Sequence, residues 1–224
     1  MKILNNIDSF NFIKFINKKQ KFILFSFVIM FVFSFILSLA IGSFRIPIIN
    51  LINFDLSDLQ YKVISEIRAP RVVLACLVGA SLGISGASLQ GLFRNPLADP
   101  GLIGVSAGAA LGASSVIVLG TKFIPEFFFG VFILPISAIS GASIVIFFLY
   151  TFTSGFGAKG TTYMLLIGIA INALASVMIG ILTYMSTDSQ LRGLTFWMMG
   201  SFGASNWLLI SPAIILILGS ILFM

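Results

Sequence analysis

Histidine is absent from the sequence, and cysteine occurs once, as Cys76. A single thiol excludes an internal disulfide. Without histidine there is neither a Cys/His zinc site nor a Ser–His or Cys–His catalytic pair. Charge is also scarce: Asp, Glu, Lys and Arg together make up 9% of 224 residues. A soluble domain of this length needs far more polar surface to cover itself. The few charges avoid the interiors of the long apolar runs. Ion-coupled pathways and intramembrane aspartyl enzymes place ionisable groups at membrane depth, which argues against both classes. A phosphate-cradling G-x-x-x-x-G-K-[ST] loop is missing too, the nearest stretch being GAKGTT (Gly157 to Thr162) with the wrong spacing. No bound nucleotide is expected on this chain.

What the sequence does contain is apolar, at 58% hydrophobic residues. A helix needs roughly 20 apolar residues to cross the hydrocarbon core of a bilayer. Runs of that kind cover 22–42, 72–93, 102–120, 127–152, 161–185 and 208–224, the last cut off by the chain end. The expected fold class is an all-α polytopic membrane protein of about six transmembrane helices. Residues 1–21 read as a cytoplasmic leader and 22–224 as the transmembrane domain. The formal charge of +6 owes much to Lys2, Lys14, Lys18, Lys19 and Lys21 in the leader. Lysines ahead of a first span mark a cytoplasmic anchor at the membrane lipid, not a nucleic-acid site. That orientation puts the turn at 94–100 and the Gly-rich loop at 153–160 in the cytoplasm. It puts Arg68, Arg71 and the polar loop at 186–193 outside.

The chain is organised around Arg68 to Gly112, where two small-residue helices flank a compact polar turn, RNPLADP (Arg94 to Pro100). Pro96 and Pro100 each remove a backbone donor and push the preceding residue out of helical geometry. Gly79 and Gly83 recur at four-residue spacing, as do Gly104, Gly108 and Gly112, which predicts flat faces for close helix packing. Gln90, Ser85, Ser106, Asn172 and Ser176 are uncharged polar residues suited to interhelical hydrogen bonds or a polar lining.

The same stretch resembles the permease subunits of bacterial ABC importers for iron–siderophore, haem and cobalamin. The matching residues are Arg68, Pro70 and Arg71; Ser85, Gly86, Ala87 and Gln90; Asn95 to Ala98; and Pro100, Gly101, Gly104, Ser106, Gly108 and Ala109. The resemblance implies a permease of ten helices per subunit, here C-terminally truncated, lacking a coupling segment and four spans. It implies a second permease copy as homodimer, an ABC ATPase subunit and a periplasmic or lipoprotein substrate-binding protein. No cofactor is expected on this chain, ATP and Mg²⁺ being bound by the ATPase, and the chain is not expected to be an enzyme. By resemblance, Arg68 and Arg71 dock the binding protein, while Asn95, Leu97, Thr161 and Thr162 form the translocation path and inner gate. The run Asp188 to Trp207 (DSQLRGLTFWMMGSFGASNW) looks most like haem permeases, which sets the substrate order as haem, ferric siderophore, then cobalamin. The rival reading is a non-transporting membrane anchor or assembly subunit.

Overall fold

The computed structural model describes residues 17–53, 55–123, 130–156 and 160–222, and every regular element among them is helical. The chain divides into two compact units, Met1–Val73 and Leu74–Met224.

In the first unit, α1 spans Lys18–Ala40. Asn17 and Gln20 close a capping box at its start, the Asn17 amide donating to Gln20 Oε1 at 2.9 Å. The helix thus begins inside the stretch expected to be leader. Its 23 residues reach roughly 35 Å, enough to cross a bilayer. Large apolar side chains such as Phe22, Phe25, Phe27 and Phe31 are exposed around it, as a helix solvated by lipid tails requires.

The connection between the first two apolar runs, residues 43–68, is largely helical. A short α2 covers Ile48–Asn53, and α3 covers Asp58–Lys62. Ser57 and Gln60 form the capping box that starts α3: the Gln60 amide donates to Ser57 Oγ at 3.3 Å, and the Ser57 amide to Gln60 Oε1 at 3.0 Å. The chain then passes without a break through a π-helical stretch, Val63–Arg68, into α4, Ala69–Phe93. Pro70 explains the π stretch. In an α-helix its ring clashes with the carbonyl four residues back, and the wider π turn just before it relieves that clash.

In the second unit, α4 ends at Phe93, a 3₁₀ turn covers Pro100–Ile103, and α5 covers Val105–Phe123. Next come α6 (Ile133–Thr153) and α7 (Gly160–Met185). The last two are α8 (Asp188–Met199) and α9 (Trp207–Leu222). The polar loop expected at 186–193 is thus mostly the first half of α8. Thr187 caps that helix and Gln190 completes the capping box. The fourth run was expected to begin at 127, but residues 124–129 lie outside the described residues, as do 157–159 of the Gly-rich loop. Among the described residues, four helices are long and apolar enough to cross a membrane: Lys18–Ala40, Asp58–Phe93, Ile133–Thr153 and Gly160–Met185. Val105–Gly120 and Trp207–Ile221 are shorter apolar helices.

The tightest packing joins α5 to α6. A Cβ on Gly108 would sit 2.7 Å from the Gly141 carbonyl oxygen, and one on Gly141 would strike the Gly108 carbonyl. Gly112 meets the Ser137 carbonyl in the same way, so backbone lies on backbone along this seam. On α7, Gly168, Ala175 and Leu182 are buried at seven-residue spacing. Leu182 joins Val118 of α5 and Leu194 of α8 in one apolar cluster. Ile103, Val145 and Leu149 form another, with Leu89, Phe93 and Ile171 packed against it. Pro212 interrupts α9 and leaves the Leu208 carbonyl without its usual partner, and Ser211 Oγ donates to that carbonyl at 3.1 Å.

Candidate functional site

The turn after α4 is built from its own polar groups. Arg94 takes a left-handed conformation (φ 49°), which stops the helix, and the Asn95 amide reaches back to the Gln90 carbonyl at 3.1 Å. Asn95 Oδ1 accepts from the Leu97 amide at 2.9 Å, and the Ala98 amide closes on the Asn95 carbonyl at 3.1 Å. One step on, Asp99 Oδ1 accepts from the Gly101 amide at 2.7 Å and starts the 3₁₀ turn. Gly104 ends it at φ +80°, a conformation that favours glycine, and its carbonyl accepts from the Gly108 amide as α5 begins. The tip and base of the turn differ sharply. Leu97 is 83% exposed, whereas Ala98 and Ile103 are buried.

The base is seated on the middle of α7. A Cβ at Gly168 would lie 2.5 Å from the Leu102 carbonyl oxygen and 2.6 Å from Ile103 Cα, so only glycine admits the turn this closely. One helical turn along, Asn172 Nδ2 donates to the Gly101 carbonyl at 2.9 Å, and the Ile171 side chain packs beside Gly104. Thr161 and Thr162 lie at the start of α7, six to eleven residues earlier, roughly 9–16 Å along the helix axis. The contact observed between the turn and α7 runs from Gly101–Gly104 to Gly168–Asn172. Near the threonines, the Phe156 and Tyr163 rings sit 4.4 Å apart between centroids.

Of the glycines expected to pack helices, Gly108 and Gly112 do so against α6. Gly104 is instead the end of the 3₁₀ turn, because its left-handed φ takes it out of the helix. Around Gly79 and Gly83 a Cβ would meet nothing within 4 Å among the described residues, so the expected seam on α4 is open there.

The two arginines also part company. Arg68 was expected to face outward, but it is 7% exposed and its guanidinium is turned onto the end of α1. Nη1 donates to the carbonyls of Leu39 and Ala40, the latter at 2.9 Å, and Nη2 donates to that of Phe44. The last carbonyls of a helix have no partner within it and carry the negative end of its dipole, and α1 has no basic residue of its own in its last turn. Arg68 supplies what α1 lacks. Gly42 leaves the room, since a Cβ there would lie 2.7 Å from Nη2. Arg71 is half-buried.

Sequence reasoning missed the pairing of Asn172 with Gly101 and that of Gln190 with Val118, where Gln190 Nε2 donates to the Val118 carbonyl at 3.1 Å. For Asn172 the available signal was a lone amide in an apolar run, which seeks a partner on another element, whereas Gln190 stands in a polar stretch that carries no such signal. Ser85 and Ser176, two of the other polar candidates, bond back to their own helices, to the Ser81 and Asn172 carbonyls. Ser114 is fully buried, and its hydroxyl finds no partner among the described residues.

Comparison with known proteins places these features. The hemin transport system permease protein HmuU of Yersinia pestis is 40% identical over 177 residues, covering 78% of this chain and 52% of that protein. The molybdate import system permease protein MolB of Haemophilus influenzae is 36% identical, covering 83% of this chain and 55% of its own length. The vitamin B12 import system permease protein BtuC of Escherichia coli is 42% identical over 142 residues, covering 63% of this chain and 41% of that protein. The chain thus spans about half the length of the curated relatives it matches. Among solved structures, an ABC transporter described as of metal-chelate type, in an inward-facing conformation, superposes with a TM-score of 0.69 at 34% identity. That likeness covers 83% of this chain and 55% of the solved one. The FecCD transport family matches residues 30–224, and the chain belongs to that family as a multi-pass, all-helical protein of the cell inner membrane.

Proposed function

We propose that this chain is the permease part of an ABC importer that carries haem across the inner membrane. The observation that carries the reading is the family match over residues 30–224, within which the proline-bracketed turn keeps its irregular backbone among apolar helices. Irregular backbone at such a position is tolerated where it lines a cavity or path. The turn's exposed tip, Asn95 to Leu97, is the inner gate, with Thr161 and Thr162 lining the path. No ionisable relay drives the movement. A separate ATPase subunit supplies it, binding ATP and Mg²⁺, and this chain performs no covalent chemistry. A second permease copy completes the path.

A substrate-binding protein delivers the cargo. Arg71, half-buried near the start of α4, is the residue that meets a carboxylate on it. The haem preference rests on the run Asp188 to Trp207 and on the 40% identity to HmuU. Molybdate and cobalamin are the competing cargoes, because MolB and BtuC are similarly close. The test is uptake by the importer assembled from the host's own permease, ATPase and binding-protein genes. It is offered haem, a ferric siderophore, cobalamin and molybdate in turn. ATP-dependent accumulation of haem alone supports the reading. Accumulation of another cargo replaces the substrate, and no accumulation of any overturns transport in favour of an anchoring role.

A further inference from the structure

We infer that Asn172 is a positioning residue that locks the gate turn to α7, so that turn and helix move as one body during transport. The inference rests on the inner-gate reading above and adds how the gate is held. Two independent contacts join the same pieces. Asn172 Nδ2 donates to the Gly101 carbonyl at 2.9 Å, and Gly168 admits the Leu102 and Ile103 backbone to within 2.5 and 2.6 Å of where a Cβ would stand. They flank the 3₁₀ turn on neighbouring turns of α7, and the buried Ile103 fills the space beneath with Ile171 and Met164.

A 3₁₀ segment of four residues has little stability of its own, and its geometry is poorer than that of an α-helix. Without an external hold, the Gly101 carbonyl spends its spare capacity on water, and the turn is free to leave its seat. The Asn172 amide sits partly buried in a mostly apolar helix, where breaking its bond to Gly101 leaves a donor poorly paired. The hold is therefore stiff at the base, while Leu97 at the tip stays exposed. A gate of this build opens when α7 moves, not by the turn swinging alone.

Ala98, buried at the base of the turn, gives the readout. In a Cys76→Ser background, Ala98→Cys is introduced into the assembled importer in lipid nanodiscs and its reaction with a maleimide is timed. Asn172→Leu, which keeps the branched shape and removes the donor, is expected to speed labelling about fivefold. Gly168→Ala, which leaves Asn172 intact but wedges the seat, is expected to do the same. Gly180→Ala, on the same helix with nothing within 4 Å of its Cβ, is expected to change nothing. Asn172→Ala serves if the leucine variant does not assemble. The same variants are assayed for haem uptake at equal membrane amounts and for affinity toward the binding protein. Faster labelling with uptake reduced at least about fivefold and binding-protein affinity unchanged supports the lock. Unchanged labelling in both Asn172 and Gly168 variants overturns it. Faster labelling with full uptake keeps the contact but overturns the turn as gate.

Discussion

Replacing Arg68 separates two roles that its position in the chain leaves mixed. Arg68→Met keeps the length of the stem and deletes the guanidinium. The structure gives that group three acceptors, the carbonyls of Leu39, Ala40 and Phe44. A hydrogen bond from a charged donor is worth about 1.5–3 kcal/mol, and part of this is regained if water reaches the freed carbonyls. Taking the low end for two bonds, the end of α1 loses roughly 3 kcal/mol of local stability. Arg68→Lys loses less but not nothing, because an ammonium cannot span three acceptors with a planar fork. The assay is amide hydrogen exchange on the protein in nanodiscs, read at residues 41–46, where the Ile46 amide donates to the Ala40 carbonyl at 3.3 Å. A loss of roughly 3 kcal/mol speeds exchange there on the order of a hundredfold if local opening controls it. Affinity for the binding protein should hardly change. Unaltered exchange with a large fall in that affinity would refute the helix-end role and return Arg68 to the partner-facing surface.

Three further outcomes follow from the packing. Arg71→Glu should weaken binding-protein affinity at least about tenfold at low salt and less as salt rises; titration of the reconstituted importer at two salt concentrations reads both effects. Gly141→Ala should cost about 1–3 kcal/mol in detergent unfolding by forcing α5 and α6 apart, whereas Gly83→Ala, with open space around it, should be neutral or stabilise by up to about 1 kcal/mol through helix propensity. Ser114→Ala should leave stability level or raise it by about 1 kcal/mol in the same experiment, since the buried hydroxyl has no partner to lose among the described residues.

Much of the helical order was legible in the residues, because apolar runs near bilayer length leave few alternatives to a helix. The turn was legible too, since Pro96, Pro100, Asn95 and Asp99 each carry a local backbone preference. Residues 58–68 fall outside the second run because its apolar stretch begins only at Val72, after Pro70. The π stretch absorbs the proline, and only the Ser57–Gln60 capping box hinted that a helix was already under way. The start of α8 was hidden for a related reason. Its polar first turn looks like loop until Thr187 and Gln190 are seen as a cap. Within the candidate site, the residue types were visible but their partners were not. Asn172 and Gly101 are 71 residues apart, and Arg68 and Ala40 are 28 apart. Periodicity says which face a residue occupies and nothing about which distant carbonyl lies opposite. The glycine pattern shows the same limit: Gly104, Gly108 and Gly112 share a spacing, yet the first caps a turn while the other two meet α6.

The two amide clips on α5 also set an order of events at the ribosome. Gly101, just ahead of the helix, waits 71 residues for Asn172, and Val118, near its far end, waits 72 for Gln190. At a synthesis rate of about 5–20 residues per second, each wait lasts roughly 4–14 s. Gly141 arrives much sooner, so the glycine seam with α6 is the first long-range contact open to α5. The newborn protein can therefore hold a helical hairpin in the bilayer for seconds before its gate end is fastened and, eighteen residues of synthesis later, its other end is closed.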